Sequence, residues 1–317
     1  MIKLQGSSNE NFVVLGLGRS GMTSAHALNA SGANVICWDD DPKKRSLASS
    51  QGLRVIGSVP DFDWESIDRL IISPGVPHHF PVPHPIVSAA VSAGVLIDND
   101  VGLFFQSIAT MSWDKFSVRP RIVAVTGSNG KSTTASLLHH IFSELGYKSQ
   151  LAGNIGRGVL DIDPPENNEL IVLELSSYQT EVARILSPDL AIFTNFSADH
   201  LERHGGIGGY LAAKRRLFTE GCPDYSIIGV DELAGRNLAQ QLSASIGDES
   251  IIRVSATKQM RRFDWSIFLD AGYLVEHRKG KQINSTDLKV FDNFVGPHSY
   301  QNAASAYAAC RALGMSP

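Results

Sequence analysis

The stretch AVTGSNGKSTTASLL, residues 124–138, constrains the fold of this chain more than any other part of it. An apolar, strand-like run leads into a glycine-containing loop, and a helix-forming run follows the loop. Gly127 and Gly130 let the backbone curl around phosphates, Lys131 supplies a cation, and Ser132 supplies a hydroxyl ligand for magnesium. The common form of this loop has a further glycine where this chain has Val125, so the loop is a shortened variant. Strand, loop and helix in this order predict a nucleoside triphosphate site in a parallel α/β sheet, with a chance structural turn as the alternative.

The first hundred residues alternate β-rich runs with helical stretches. Such alternation is typical of a parallel sheet covered by helices and predicts a Rossmann-like amino-terminal domain. The predicted strands are residues 11–16, 33–39 and 69–75, and the predicted helices are residues 20–31 and 83–93.

The pattern loosens over residues 100–120, which predicts a domain junction, and alternation then resumes. We therefore expect one domain over residues 1–99 and a central, mostly parallel domain with the phosphate loop over residues 100–317. Its strands are apolar throughout, as in sheets buried on both faces, and they are predicted at 121–127, 169–175, 189–195 and 225–231. Residues 251–291 suggest a small antiparallel element, and an Ala-rich helix is predicted at 298–313.

A second glycine loop, GLGRSG, follows the first predicted strand and opens the first predicted helix. Gly16, Gly18 and Gly21 place backbone amides at a helix N-terminus, where a pyrophosphate can bind. The acidic cluster Asp39 to Asp41 follows the second strand, where a ribose-binding carboxylate lies in dinucleotide sites. The pattern fits a dinucleotide, another phosphate ligand, or a tight structural turn.

Polar residues also follow the predicted buried strands of the second half. Glu174 ends one strand, and a carboxylate there is costly unless it has a cation. Asp199 and His200 follow the next strand, which makes His200 a candidate metal ligand, although a lone histidine is more often structural. Lys214, in the helical stretch YLAAK, either faces the site or is one charge on a solvated helix face.

Composition limits the class of protein. The net charge of −4 and the lack of a Lys- and Arg-rich run give no reason to expect nucleic-acid binding. The three cysteines, Cys37, Cys222 and Cys310, are far apart and fit reduced thiols. No apolar run is long enough to span a bilayer, so we expect a cytoplasmic protein without membrane insertion, and a monomer.

Six motifs in the same order resemble those of the Mur ligases of peptidoglycan synthesis. They are TGSNGKST, GNIG, LELSSYQ, DH, YLAAK and GPHSYQN, and they begin at residues 126, 153, 173, 199, 210 and 296. The form LELSSYQ is most similar to the branch of the family that adds D-glutamate. The resemblance implies an ATP- and magnesium-dependent ligase that acts on UDP-N-acetylmuramoyl-L-alanine and D-glutamate through an acyl phosphate, in the building of the cell wall.

The resemblance also implies roles for residues of the central domain. Lys131 holds the β- and γ-phosphates together with the surrounding loop residues Gly127, Asn129, Gly130, Ser132 and Thr133. Ser132 and Glu174 hold one magnesium ion, His200 helps to hold a second, and Lys214 matches a lysine that becomes carbamylated and supports the metal. Asn302 lies near the adenine with His298 beside it, and Asn154 lies close to the substrate side.

In the amino-terminal domain, the resemblance implies that the glycine loop holds the UDP of the substrate. The matching positions are Gly18, Arg19, Ser20, Asp39, Asp40, Ser73 and Gly75. The family often has Thr and Arg where this chain has Asp40 and Asp41, which makes this part of the match looser. Two nucleotides, UDP and ATP, would explain why one chain has two phosphate loops.

Relatives in this family have a third, carboxyl-terminal domain that binds the amino acid, whereas this sequence stops at RALGMSP. We therefore expect residues 1–317 to bind both nucleotides without forming the amide bond at a useful rate. The alternatives are a sister ligase that adds another amino acid, a folylpolyglutamate synthetase, an NAD-dependent oxidoreductase, or a nucleotide-binding module without catalysis. The oxidoreductase accounts for GLGRSG and leaves the second loop, Glu174 and His200 unexplained.

Overall fold

The computed structural model describes residues 1–56, 62–291 and 296–317. Within these residues, the first sheet has four strands in the order β2-β1-β3-β4, and all of its pairings are parallel. Strands β1 to β4 are Asn11–Leu15, Asn34–Trp38, Arg69–Ile72 and Leu96–Asp98. Helices α1 to α4 are Arg19–Ala30, Pro42–Ser50, Pro85–Ser92 and Asp100–Ala109. The three strands and two helices predicted from alternation are confirmed.

The second sheet has nine strands within the described residues, in the order β13-β12-β11-β10-β9-β8-β5-β7-β6. Strands β5 to β13 are Arg121–Thr126, Ser149–Gly153, Leu170–Glu174, Leu190–Phe193, Tyr225–Gly229, Ile251–Ser255, Trp265–Asp270, Tyr273–Arg278 and Lys281–Asp287. Helices α5 to α9 are Lys131–Glu144, Ser177–Val182, Ile207–Thr219, Leu233–Ile246 and Gly296–Ala312. The mostly parallel α/β class predicted from the sequence is therefore confirmed.

Two elements were not predicted, and one local prediction was inaccurate. The pattern loosens over residues 100–120, yet α4 begins at Asp100 because the Asn99 side chain accepts hydrogen bonds from two backbone amides of its first turn. The edge strand β6 was not predicted. The antiparallel element begins later than expected, since β10 pairs in parallel with both β9 and β11, and the antiparallel pairing covers β11 to β13.

The sheet order determines where ligands can bind. Strand β1 lies between β2 and β3, and β5 lies between β7 and β8. After each of these two strands the chain first adds strands on one side and then crosses over to add strands on the other side. In open parallel sheets, ligands bind in the crevice beyond the carboxyl end of the strand at which this change of side occurs. GLGRSG follows β1 and TGSNGKST follows β5, so both glycine loops occupy such a crevice.

The two sheets contribute side chains to a common apolar cluster. One apolar cluster contains residues of the first sheet, such as Phe12 and Ile71, together with residues of the second, such as Ala124 and Ile171. At the amino terminus, the Ile2 amide donates to the Leu160 carbonyl at 3.2 Å. Within the described residues, no helix is both long and apolar enough to cross a membrane.

Candidate functional site

The phosphate loop requires glycine at both predicted positions. Gly127 has a φ of +140° and Gly130 a φ of +76°. A Cβ atom at Gly127 would lie 2.0 Å from Thr194 Oγ1, and one at Gly130 would lie 2.3 Å from Asn302 Oδ1. Both the backbone conformation and the lack of space therefore exclude larger residues.

The segment after β8 holds this loop in place. Asn195 Oδ1 accepts a hydrogen bond from the Asn129 amide at 2.8 Å, and Thr194 Oγ1 donates to the Asn129 carbonyl at 2.7 Å. Ser128 Oγ donates to the Ser197 carbonyl at 3.0 Å. Side chains at the end of a neighbouring strand therefore support the loop.

Lys131 is the first residue of α5 and lies at the mouth of the loop. Its Nζ donates to the Ser128 carbonyl at 2.9 Å. Burial lowers the pKa of Lys131, and the charges of Glu174 and Asp199 act in the opposite direction. The Lys131 cation is thus held over the loop where a terminal phosphate would lie.

Ser132, Glu174 and Asn154 form one group at the carboxyl end of β7. Glu174 is 1% exposed, its Oε2 accepts from Ser132 Oγ at 2.8 Å, and its Oε1 accepts from Asn154 Nδ2 at 3.3 Å. Within the described residues, no Lys, Arg or His forms an ion pair with this carboxylate. A buried carboxylate without a paired cation, next to a hydroxyl, has the oxygen ligands that Mg²⁺ takes.

The donor set also limits which metal fits. The described residues contain no cluster of three or more His, Cys, Asp or Glu side chains with metal-site geometry. Mg²⁺ usually keeps several waters and is bound through one or two carboxylates plus substrate phosphates. Glu174 and Ser132 therefore fit a phosphate-bound Mg²⁺ better than a metal enclosed entirely by protein.

Lys214 is buried in this site and is not a solvated charge on a helix face. It is 1% exposed, its Nζ donates to the Gly127 carbonyl at 2.7 Å, and the same atom lies 4.5 Å from the centre of the Tyr210 ring. Burial, together with the nearby Lys131 cation, lowers the pKa of Lys214 to about 7, while Asp199 acts in the opposite direction. The neutral amine of Lys214 is therefore available at neutral pH.

His200 lies outside the group formed by Ser132, Glu174 and Asn154. It follows β8 with a φ of +51°, and its Nε2 lies 3.5 Å from Asp199 Oδ2, with both side chains about half exposed. Its ring packs against Tyr178 with a centroid distance of 5.2 Å. Among the described residues, the hydrogen bonds and ion pairs do not connect His200 with Glu174.

The first turns of α9 face the phosphate loop. Asn302 is buried, and its side-chain oxygen lies so close to Gly130 that a Cβ atom there would clash with it. His298 is exposed in the first turn of α9, and its charge opposes the burial that raises the pKa of Glu232. Thr133 is exposed in the first turn of α5.

A second cleft of about 420 Å³ lies beyond the carboxyl ends of β1, β2 and β3. Every residue predicted for the amino-terminal site lines it: Gly18, Arg19, Ser20, Asp39, Asp40, Ser73 and Gly75. Lys44 and His84 also line this cleft and were not predicted. The residues predicted for this site therefore line one cavity next to the first glycine loop.

Asp39 and Ser73 brace that loop from below. Asp39 Oδ2 accepts from the Leu17 amide at 2.6 Å, and Ser73 Oγ donates to the Gly16 carbonyl at 2.6 Å. A Cβ atom at Gly21 would lie 1.8 Å from the Gly16 carbonyl oxygen. Part of the glycine and aspartate pattern is thus explained by loop packing rather than by ligand contact.

Two arginines join the two sites. Arg19, in the first cleft, donates through Nη1 to the Gly156 carbonyl at 3.1 Å and through Nη2 to the Asn154 carbonyl at 2.8 Å. Arg203, after β8, donates to the carbonyls of Gly75 and Val76 at 3.1 and 3.0 Å. Sequence reasoning missed Arg203, because nothing in the residues around it signals a partner more than a hundred positions away.

A buried histidine network at this junction was also missed. His204 Nδ1 lies 2.8 Å from Glu181 Oε2, and His204 Nε2 lies 2.9 Å from Ser177 Oγ. His78, from the amino-terminal half, lies 3.6 Å from the same Glu181 oxygen. Burial lowers the pKa of His78 to about 4, so this imidazole is neutral at neutral pH.

Known proteins match this chain along its length. A family model for the middle domain of Mur ligases matches residues 125–310. The UDP-N-acetylmuramoylalanine–D-glutamate ligase of Cereibacter sphaeroides strain KD131 is 54% identical over 317 residues, which are 100% of this chain and 68% of the relative. The enzyme of the same name from Ruegeria pomeroyi is 55% identical over the same shares of the two chains.

Solved structures show the same fold at low sequence identity. The UDP-N-acetylmuramate:L-alanyl-γ-D-glutamyl-meso-diaminopimelate ligase of Neisseria meningitides has a TM-score of 0.58 and 17% identity, over 97% of this chain and 95% of that one. A UDP-N-acetylmuramoyl-L-alanyl-D-glutamate–2,6-diaminopimelate ligase has a TM-score of 0.57 and 18% identity, over 100% of this chain and 60% of that one. With a phosphate loop on β5, a glycine-loop cleft on β1 and relatives at more than half identity, this chain belongs to the Mur ligase family.

Proposed function

We propose that this chain binds UDP-N-acetylmuramoyl-L-alanine and ATP for the ligation of D-glutamate, the reaction named for its relatives from Cereibacter sphaeroides and Ruegeria pomeroyi. One observation carries the proposal beyond identity. The Asn154 side chain donates to Glu174 beside the phosphate loop, and the Asn154 carbonyl accepts from Arg19 in the amino-terminal cleft. Asn154 therefore contacts one residue of each proposed site, and we infer that a ligand extending from one cleft toward the other would pass it.

The reaction suits this arrangement. The substrate carboxylate attacks the γ-phosphorus of ATP, an O–P bond forms, and ADP leaves with the electron pair of the broken bond. The amine of D-glutamate then attacks the acyl phosphate, and phosphate leaves from a tetrahedral intermediate after the amine loses a proton. Such phosphoryl transfer depends mainly on alignment and on neutralisation of charge.

The residues of the phosphate loop supply that alignment in our proposal. The amides of Gly127 to Gly130, held by Thr194 and Asn195, cradle the phosphates, and the Lys131 cation holds the β- and γ-phosphates. Asn302, which lies against Gly130, and His298, in the first turn of the same helix, are the residues that we assign to the adenine side.

Glu174 and Ser132 would hold Mg²⁺, and their geometry fits it as described above. When bound, Mg²⁺ neutralises phosphate charge and polarises the phosphoryl oxygens. We assign a second magnesium to the neighbourhood of His200 and Asp199, a finer proposal that rests on the resemblance alone.

We also propose that Lys214 is carbamylated. Its neutral amine attacks CO₂, an N–C bond forms, and one proton leaves the nitrogen, so that a neutral amine becomes an anion. The lowered pKa of Lys214 makes the neutral amine available at neutral pH. The negative product suits a site that already holds the Lys131 cation and would hold Mg²⁺.

We assign residues 1–99 to binding of the UDP portion and residues 100–317 to ATP. The cleft around Gly18, Arg19 and Ser20 has the volume of a small-ligand pocket and a helix N-terminus for the diphosphate. A monomer and a cytoplasmic location remain predictions from the sequence.

Calorimetric titration tests the function. UDP-N-acetylmuramoyl-L-alanine should bind more tightly than UDP-N-acetylmuramate, NAD should not bind at comparable concentrations, and an ATP analogue should bind in the presence of Mg²⁺. Lys131→Ala should weaken the ATP analogue at least tenfold, whereas Lys148→Ala, an exposed lysine paired with Glu166, should leave its affinity unchanged.

The amino acid is tested by ADP release. Residues 1–317 are not expected to form the amide bond at a useful rate, so the ligation assay uses the full-length enzyme. Release that depends on D-glutamate and is absent with L-glutamate supports the proposal. Tighter binding of NAD than of the UDP-sugar, or ADP release that requires a different amino acid, would overturn it.

A further inference from the structure

A cavity of about 470 Å³ lies between α8 and the segment of residues 256–263 that follows β10. All of the ionisable side chains that line it are cationic: Arg236, Arg253, Lys258 and Arg262. Arg236, Lys258 and Arg262 are exposed at its rim, and Arg253 is buried in its wall. Arg253 is paired with Asp248, but Arg236, Lys258 and Arg262 form no ion pair among the described residues, so the rim carries positive charge that attracts anions.

Arg253 is a fixed part of the cavity wall, and one of its guanidinium nitrogens has no hydrogen-bond acceptor. It is 5% exposed, its Nη2 lies 2.6 Å from Asp248 Oδ1, and its guanidinium carbon lies 4.3 Å from the centre of the Phe263 ring. These contacts hold the guanidinium in a fixed plane. Its Nη1 is buried and has no hydrogen-bond acceptor among the described residues. Unpaired buried donors are rare and costly, so this one calls for an explanation.

The walls also limit the chemical class of the ligand. The Phe263 ring is covered by the Arg253 guanidinium at 4.3 Å and by the Arg262 guanidinium at 5.1 Å. Both guanidinium groups therefore compete with a nucleobase for stacking on this ring. Planar guanidinium groups match the oxygens of phosphate. The walls therefore favour a phosphate or pyrophosphate group over a nucleoside.

This cavity is separate from the phosphate loop. Strand β10 is three positions away from β5 in the sheet order, with β9 and β8 between them. At a spacing of about 4.8 Å between strands, the separation is roughly 14 Å. None of the residues assigned above to ATP or UDP lines the cavity.

We propose that the cavity between α8 and residues 256–263 is a second anion site, which binds a phosphate or pyrophosphate group through Arg253, Lys258 and Arg262. The site is independent of the ligase assignment, because its walls contain none of the residues on which that assignment depends. The same chemistry could be offered by a free inorganic ion or by the phosphates of a nucleotide, and the experiment separates these sources.

The test uses inorganic pyrophosphate and ADP as probes, titrated by calorimetry without Mg²⁺. All proteins carry Lys131→Ala, which weakens binding at the phosphate loop. The cavity variant adds Lys258→Gln and Arg262→Gln, both exposed, and the matched control adds Lys148→Gln and Lys281→Gln, also exposed and cationic. Removal of two charge-assisted contacts should weaken pyrophosphate at least tenfold in the cavity variant and leave the control unchanged.

The outcomes are distinct. If the Lys131→Ala protein binds no pyrophosphate at millimolar concentration, or if the cavity variant and the control bind it equally, the proposal is wrong. The cavity substitutions should weaken ADP and pyrophosphate by a similar factor relative to the control, and a loss more than tenfold larger for ADP than for pyrophosphate would refute the conclusion that no nucleoside is recognised. Arg253→Gln should also lose pyrophosphate binding, and a thermal melt checks that this buried variant is folded.

Discussion

Replacement of Lys214 by methionine tests the electrostatics of the site directly. In the folded chain, burial lowers the pKa of Lys214 from 10.5 to about 7. Between these two pH values the unfolded chain carries a proton on this lysine that the folded chain lacks. The free energy of unfolding of the parent protein therefore rises with pH across this range, and the full penalty applies below pH 7.

The size of the effect follows from the shift. At about 1.4 kcal/mol for each pH unit, the penalty below pH 7 is about 5 kcal/mol. Methionine removes this penalty, fills a similar volume, and loses the hydrogen bond to the Gly127 carbonyl, which leaves a buried acceptor unpaired at a cost of about 1 to 3 kcal/mol. Lys214→Met should therefore raise the free energy of unfolding by about 2 to 4 kcal/mol at pH 7.

Urea unfolding of both proteins at pH 7, 8 and 9, in buffers free of CO₂, measures the difference. The difference in unfolding free energy should shrink by about 1.4 kcal/mol for each pH unit as the pH rises, because the Lys214 penalty of the parent falls. The other titrating groups are common to both proteins and cancel. Added bicarbonate should change the stability of the parent protein alone, since only the parent has the amine. Parallel stability curves, or a methionine variant that is less stable at pH 7, would refute the reasoning.

Three further results are expected. Gly130→Ala places a Cβ 2.3 Å from Asn302 Oδ1 at a φ of +76°, so binding of an ATP analogue should weaken at least tenfold in calorimetry; unchanged affinity would mean that the loop relaxes freely. Glu174→Gln should abolish the Mg²⁺ dependence of that binding, and a titration with and without Mg²⁺ that still shows it would place the metal elsewhere. His78 should contribute a loss of up to about 3 kcal/mol of stability as the pH falls from 6.5 to 4, because its imidazole takes up a proton in the unfolded chain but not in the folded one. In urea unfolding, His78→Gln should lose that part of the pH dependence, and a variant with the same slope as the parent would contradict the assignment.

The sequence predicted the chemistry-bearing loops because their signals are local. Gly127, Gly130 and Lys131 occur within five residues, between a strand and a helix, and the same is true of the loop after β1. Strands and helices with clear periodicity were predicted for the same reason. Helix α4 was missed because its start depends on the single Asn99 side chain.

Long-range partners were beyond sequence reasoning. The burial of Lys214 could not be inferred from YLAAK, since a lysine in a helix is usually solvated and only tertiary packing places it under Gly127. His200 follows the correct strand, yet local spacing does not reveal that its ring packs on Tyr178. Parallel pairing of β10 was missed because strand direction depends on the connection through α8 and not on composition.

The hydrogen bonds that Arg19 and Arg203 make across the junction should tolerate substitution of the accepting residues but not of the two arginines. Both arginines donate only to main-chain oxygens across the junction, which every residue type supplies. Side-chain replacements at the accepting positions can therefore accumulate without loss of these hydrogen bonds, whereas each donor is irreplaceable, since lysine lacks the planar fork that reaches two carbonyls at once. Sequence drift across this junction should be concentrated on the accepting side, and covariation between the partners should be weak even though they touch.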